Sequence, residues 1–139
     1  MKILRPESRP SRTAPASNFT GVVLQDPLFK AETPGRAQIN LVTFTPGART
    51  NWHTHPLGQI LYVLNGSGRV QCWGRPIELV HAGDVIWFPA GEKHWHGAGP
   101  DTAMVHFSLT EFLDGKGADW MEPVSDEQYK DQAAQGTRR

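Results

Sequence analysis

Turn signals break this chain so often that no long helix fits between them. Pro34-Gly35, Pro46-Gly47, Pro56-Leu57-Gly58, Asn65-Gly66-Ser67-Gly68, Gly74-Arg75-Pro76, His81-Ala82-Gly83-Asp84 and Pro89-Ala90-Gly91 follow one another at short spacing. Gly supplies the positive φ of tight turns and Pro cannot continue a helix or a ladder, so each cluster closes a short element. The segments between them read as strands: Gly21 to Leu24, Gln38 to Thr45, Gln59 to Leu64, Arg69 to Trp73, Ile77 to Val80, Val85 to Phe88 and Thr102 to Thr110. Asp26-Pro27 reads as another turn, and Asn65 to Gly68 as the turn that sends Arg69 to Trp73 back along its neighbour. Many short strands without a solenoid repeat predict an all-β fold, a sandwich or a barrel of jelly-roll type.

Within that frame the expected organisation is a flexible N-terminal arm over 1–17, a single domain over 18–130, and a disordered tail over 131–139. Ser125 with Gln128 three residues on forms a capping-box pattern, so a short helical segment is expected near the end of the domain. The 14 Lys and Arg balance the 14 Asp and Glu, and they do not gather into a stripe. That removes the electrostatic footprint of a nucleic-acid or anionic-membrane binder and favours a small-molecule ligand. Cys72 is the sole cysteine, which rules out an internal disulfide and a thiolate-rich zinc site. No apolar run reaches the length of a signal or membrane segment, so a cytoplasmic location is the expectation.

The chemistry-bearing residues are histidines. In an extended backbone His53 and His55 point to the same side, and Gln59 enters beside them after the Pro56-Leu57-Gly58 turn. Two imidazoles and an amide oxygen make an incomplete site for a borderline divalent ion. His94-Trp95-His96 is a second pair of the same kind, and His94 is the missing donor. Along Thr102 to Thr110, Met104, His106, Ser108 and Thr110 share one side and Val105, Phe107 and Leu109 the other. Histidines on strands can also be held by backbone and water alone, and the tryptophans Trp52, Trp87 and Trp95 read first as core or interface mass.

The spacing of these residues resembles the cupin superfamily. Its first motif is similar to Gly47, then His53-Thr54-His55, Gln59 and Gly66, and its second to Gly83, then Pro89-Ala90-Gly91 and His94. Two positions depart from the common pattern: Gln59 stands where most metal-binding cupins have Glu, and Ala98 where Asn often closes the second motif. A closer likeness, carried by Pro46 to Thr50, Trp52 to Gln59, Gly91 to Gly97 and Asp119 to Glu122, is to the small bacterial cupins that include manganese-dependent hydroxynitrile lyases. That branch uses Gln at the position of Gln59.

The resemblance implies a cupin jelly-roll barrel, a homodimer or homotetramer, and one divalent metal held by His53, His55, Gln59 and His94. Mn is the first expectation for the ion, and Fe, Zn and Ni also suit such donors. The activity it implies is cleavage and formation of cyanohydrins, for which a barrel-wall imidazole serves as base. His106 is the first candidate and His96 the second, while Asn40, Val42 and Thr110 would shape the substrate pocket if their faces turn inward. Two other classes stay open on the same residues: an isomerase or oxygenase reaction at the metal, and a non-catalytic metal- or ligand-binding role.

Overall fold

Alternation along each strand sets one row of side chains inward and one outward, and the chain is built almost wholly from such rows. A computed structural model describes residues 1–131, so beyond Asp131 the tail expected over 131–139 lies outside the described residues. The strands are β1 (Arg12–Thr13), β2 (Phe19–Thr20), β3 (Val23–Lys30), β4 (Ala37–Phe44), β5 (Arg49–Thr50), β6 (His53–Thr54) and β7 (Gln59–Cys72). They continue as β8 (Glu78–His81), β9 (Val85–Phe88), β10 (His94–Ala98), β11 (Met104–Glu111) and β12 (Asp119–Trp120), and the chain closes its described part with helix α1 (Asp126–Lys130). Within the N-terminal arm, β1 pairs with β3 through Arg12 opposite Gln25 and Thr13 opposite Leu24.

All pairings are antiparallel, and β7 carries the architecture. Its first part pairs with β9 and β11, which leads on to β4, β3 and β1; its second part pairs with β8 and β10, which leads on to β5, β6, β2 and β12. The result is two curled sheets joined through one long strand, the jelly-roll barrel expected. The turn expected at Asn65 to Gly68 is instead the place where β7 passes from one sheet into the other. Leu64 bulges out of the ladder there, since Val105 faces Asn65 while His106 faces Val63. Gly66 has φ +77°, and a Cβ on it would collide with the Ala103 carbonyl; one on Gly68 would meet the Gly97 carbonyl. These glycines serve close backbone approach within a strand, which looks the same as a turn in sequence. Asp26-Pro27 likewise lies inside β3, with an irregularity between Pro27 and Phe29. Pro27 has no amide to offer and is tolerated because β1 covers only Leu24 and Gln25, leaving that stretch of β3 at an edge.

The inward rows are graded from one end of the barrel to the other. On β11 they run Met104, His106, Ser108, Thr110, and on the paired β4 they run Phe44, Val42, Asn40, Gln38. The apolar end packs with Val23, Leu61, Val63 and Phe88 into the main core, and the polar end opens into a cavity. The outward rows of the same sheet are largely apolar: Trp87, Ile60, Leu109, Ile39 and Phe29 lie abreast across five strands, with Val85, Tyr62, Phe107 and Leu41 beside them and Asp26 ending that second row.

A second core lies behind β10, where Trp95 points away from the cavity. Trp52, Ile77, Trp95, Val124 and Tyr129 form it, and α1 closes it. The capping box is present: Ser125 Oγ accepts from the Gln128 amide at 3.0 Å, and Gln128 Oε1 accepts from the Ser125 amide at 2.9 Å. The Tyr129 hydroxyl donates to the Ala98 carbonyl at 2.7 Å, pinning the helix to β10. None of the helices described is long and apolar enough to cross a membrane.

Candidate metal centre

Three short elements bring the histidines together. His53 opens β6 and stands opposite His94, which opens β10; His55 follows in the Pro56-Leu57-Gly58 turn; Gln59 is the first residue of β7. His96 and His106 come from β10 and β11 on the same inward side. All six side chains are buried. His53, His94 and His96 bring potential ligand atoms within 4.8 Å of one another and are placed to hold a metal ion. His96, weighed from sequence as a base, thus stands in the cluster itself.

Backbone carbonyls fix the rings. Carbonyl oxygens only accept, so the ring proton sits on Nδ1 of His53 toward Asn51 O (2.8 Å) and of His55 toward Gly117 O. His94 Nδ1 does the same toward Glu92 O at 2.8 Å. Each neutral ring then presents an unprotonated Nε2, the arrangement by which second-shell acceptors orient metal-binding imidazoles. Stacking adds to this: Phe88 lies parallel to His94 with ring centroids 3.7 Å apart, and Trp120 covers His53 at 4.5 Å. Trp120 therefore belongs to the site wall.

Gln59 is held by Ser108. Its Nε2 donates to Ser108 Oγ at 2.8 Å, which turns Oε1 toward the imidazoles, 3.0 Å from His94 Nε2. The same amide also lies close to the rings of His53 and His55. Ser108 had only its shared parity with His106 to mark it in sequence, and the carbonyls of Asn51, Glu92 and Gly117 had no mark at all.

Burial keeps these rings neutral. It pushes His94 down to about 3 and His106 to about 4, and lowers His55 as well. His53 and His96 are lowered well below their ordinary value, first by burial and then by the neighbouring imidazoles. His96 Nδ1 and His106 Nε2 share one hydrogen bond at 3.0 Å.

Does this set fit a cation? With the amide as it stands, the lone pairs of His94 Nε2 and Gln59 Oε1 face each other, a contact that only a proton or a cation reconciles. Burial opposes the proton. Turning the amide would satisfy His94, yet His55 Nε2 would still be a buried acceptor without a partner, and the proton shared by His96 and His106 leaves a second such acceptor on one of their outer nitrogens. Unsatisfied buried acceptors are costly, and several converging on one point are what a metal site needs. Imidazole nitrogens with a neutral amide oxygen suit a borderline divalent ion.

Beside the cluster is a cavity of about 280 Å³. Asn40, Val42 and Thr110 line it, as do His96 and His106, so the strand faces that carry them turn inward. Arg12, Gln25, Gln38, Phe112 and Trp120 also line it and were not anticipated.

Comparison with known proteins agrees with this geometry. Residues 40–109 match the profile of the family described as Cupin domain. A protein of Granulicella tundricola named (R)-mandelonitrile lyase is 56% identical over 130 residues, covering 94% of this chain and 99% of that one. A cupin-like protein of Thermotoga maritima has a similar structure with TM-score 0.82 and 38% identity, covering 89% of this chain and 93% of the other. The polyketide cyclase RemF of Streptomyces resistomycificus, at TM-score 0.70 and 21% identity over 93% of this chain and 90% of its own, shares the fold.

Proposed function

The chain belongs to the cupin family, and from that premise we propose that it is a metal-dependent lyase that cleaves and forms cyanohydrins of the mandelonitrile type. The observation that carries this reading is the set of buried Nε2 atoms of His53, His55 and His94, left unprotonated by their Nδ1 contacts to carbonyls, beside a cavity in a chain 56% identical to a protein named (R)-mandelonitrile lyase. The ligands in this reading are His53, His55, Gln59 and His94, and Mn is the first ion to load. A bound divalent ion would supply Lewis acidity for the negative charge that develops on oxygen or cyanide. With only neutral donors around it the ion would keep its full charge, which strengthens that effect.

The chain's own part is proton transfer. His106 Nδ1 and His96 Nε2 are buried ring atoms without partners, and both residues line the cavity. One of them takes the hydroxyl proton of the cyanohydrin; the carbonyl forms, and the carbon–cyanide bond breaks with its electron pair leaving on cyanide. The ring then returns the proton to cyanide. The depressed basicity of His106, at about 4, leaves it able to accept a proton in mildly acidic solution, where cyanohydrins decompose slowly without a catalyst. Asn40, Val42 and Thr110 shape the space for the side group.

The working unit in this reading is a homodimer or homotetramer closed through the outward face described above. Trp87 is 58% exposed, Val85 67% and Tyr62 42%, an unusual face to leave in water. Together with its half-buried neighbours it offers on the order of 600–800 Å², near the roughly 800 Å² each partner contributes to a standard interface.

Cyanide release from racemic mandelonitrile by manganese-loaded protein at mildly acidic pH, with a chelated aliquot beside it, tests the reaction. Release above background is expected, lost on chelation and lost in His106→Ala protein that still holds metal. No release from protein shown to hold metal sinks the reading.

A further inference from the structure

The cavity is electrostatically one-sided. Not one of its lining residues is Asp or Glu, and its only formally charged side chain is Arg12, brought in from the N-terminal arm by β1. No hydrogen bond or ion pair partners that guanidinium among the described residues. Lys30 adds to the same field, with its ammonium 4.3 Å from the ring centroid of Phe112, another lining residue. A divalent ion on neutral ligands would raise the positive potential further.

Register fixes where Arg12 stands relative to the reacting end. Arg12 faces Gln25, Gln25 faces Val42, and Val42 faces His106, one residue per strand across four adjacent strands. Three strand spacings put the Arg12 backbone on the order of 14 Å from that of His106. Both residues line the same cavity, so a ligand lying between them meets the imidazole at one end and the guanidinium at the other, with room on this scale for a substituted ring in the space between. Gln25 and Val42 form its floor, one polar and one apolar.

We infer that the cavity is built for a substrate with an anionic carboxylate at the end remote from its reacting carbon, bound by Arg12. Resting on the lyase reading, this makes the substrate class the aldehydes, and their cyanohydrins, that carry a distal carboxylate on an aryl or similarly sized spacer. Arg12 is then a specificity-determining residue: it contacts the substrate but not the reacting atoms. Its place at the mouth also draws anions inward, so the preference weakens with salt.

The test uses full-length manganese-loaded protein with 4-formylbenzoate and benzaldehyde as probes, and measures binding by calorimetry before any turnover assay. Wild type is expected to bind 4-formylbenzoate about tenfold or more tightly than benzaldehyde, in keeping with one charge-assisted hydrogen-bonded contact. Arg12→Gln should remove most of that preference and its salt dependence, and Arg12→Lys should restore part of it. Equal binding of the two aldehydes by wild type overturns the inference. So does a preference that survives in Arg12→Gln, because the carboxylate would then be held at the metal end. Cyanide release from the two cyanohydrins is measured separately: Arg12-dependent binding without release leaves the anion site standing and removes the lyase reading.

Discussion

At the cavity end of the barrel, away from the main core, the two faces of the sheet formed by β3, β4, β11, β7 and β9 invert the usual rule for a small globular protein. Its inner face carries His106, Ser108, Thr110, Asn40, Gln38 and Gln59, while its outer face carries Trp87, Ile60, Tyr62, Phe107, Leu109, Ile39 and Leu41. Polar groups are placed inside where burial costs most, and apolar ones outside where water penalises them. Under the proposed function each face has what would complete it: a metal ion for the lone pairs of the inner one, and a second copy of the chain for the apolar rows of the outer one.

Acid should break the inner face first, and in the metal-free protein the effect is the largest expected here. His53, His55, His94, His96 and His106 are all held below their ordinary value, so the unfolded chain binds more protons than the folded one below about pH 6.5. Stability contributed by their neutrality is complete above that pH and, for His94 and His106, is lost as pH falls toward about 3 and about 4. Each of these two costs about 1.4 kcal/mol per pH unit in its window, so one unit into it they remove roughly 3 kcal/mol of a net stability of order 5–15 kcal/mol, and the other three rings act in the same direction. Chelated protein melted at pH 7.5 and at pH 5.5 should show a steep drop, and metal-loaded protein a much smaller one because the ion competes with protons. Equal melting of chelated protein at both pH values would break the account of the inner face.

The outer face is tested by charge. Tyr62 lies in the middle of it, between Val85 and Phe107 in register, and its side chain points away from the cavity. Tyr62→Asp should turn a homo-oligomer, seen at micromolar concentration by sedimentation, into a monomer, raising the dissociation constant by about a hundredfold or more through buried, unpaired charge. A monomeric wild type, or a variant that assembles unchanged, would leave the apolar rows without this explanation.

Much of the inner face was readable because strand parity is local. His106, Ser108 and Thr110 share a side at spacing two, and the two His-x-His pairs need only an extended backbone to converge. The outer face was equally spelled out in Val105, Phe107 and Leu109, but alternation cannot say which side is inside when both contain apolar residues. Gly66 and Gly68 misled because close approach of a neighbouring backbone and a tight turn call for the same residue. Pro27 misled because its tolerance depends on β3 being an edge, a property of the whole sheet. Arg12 could not be found at all from sequence: the arm has no period, and only pairing with β3 carries its side chain to the cavity. His96 was placed one step away from its position in the cluster, since parity fixes the side a residue faces but not its distance from a point.

The smallest effect sharpens the comparison most, because it separates the residues that contact a metal from those that aim them. Ser108 touches no metal in any reading; it accepts the Gln59 amide hydrogen and so decides which end of that amide faces the imidazoles. Ser108→Ala leaves Gln59 Nε2 without its partner and lets the amide turn, which would present hydrogens where an oxygen donor is needed. Metal affinity should fall about 10- to 100-fold, the usual cost of losing an outer-shell contact, while the loaded protein keeps most of its turnover. Competition with a chelator of known strength measures the first, and turnover at saturating metal the second. If affinity stays within about twofold of wild type while His94→Ala abolishes binding, then Gln59 is not a donor. The site would then be the three imidazoles of His53, His94 and His96, whose ligand atoms lie within 4.8 Å of one another.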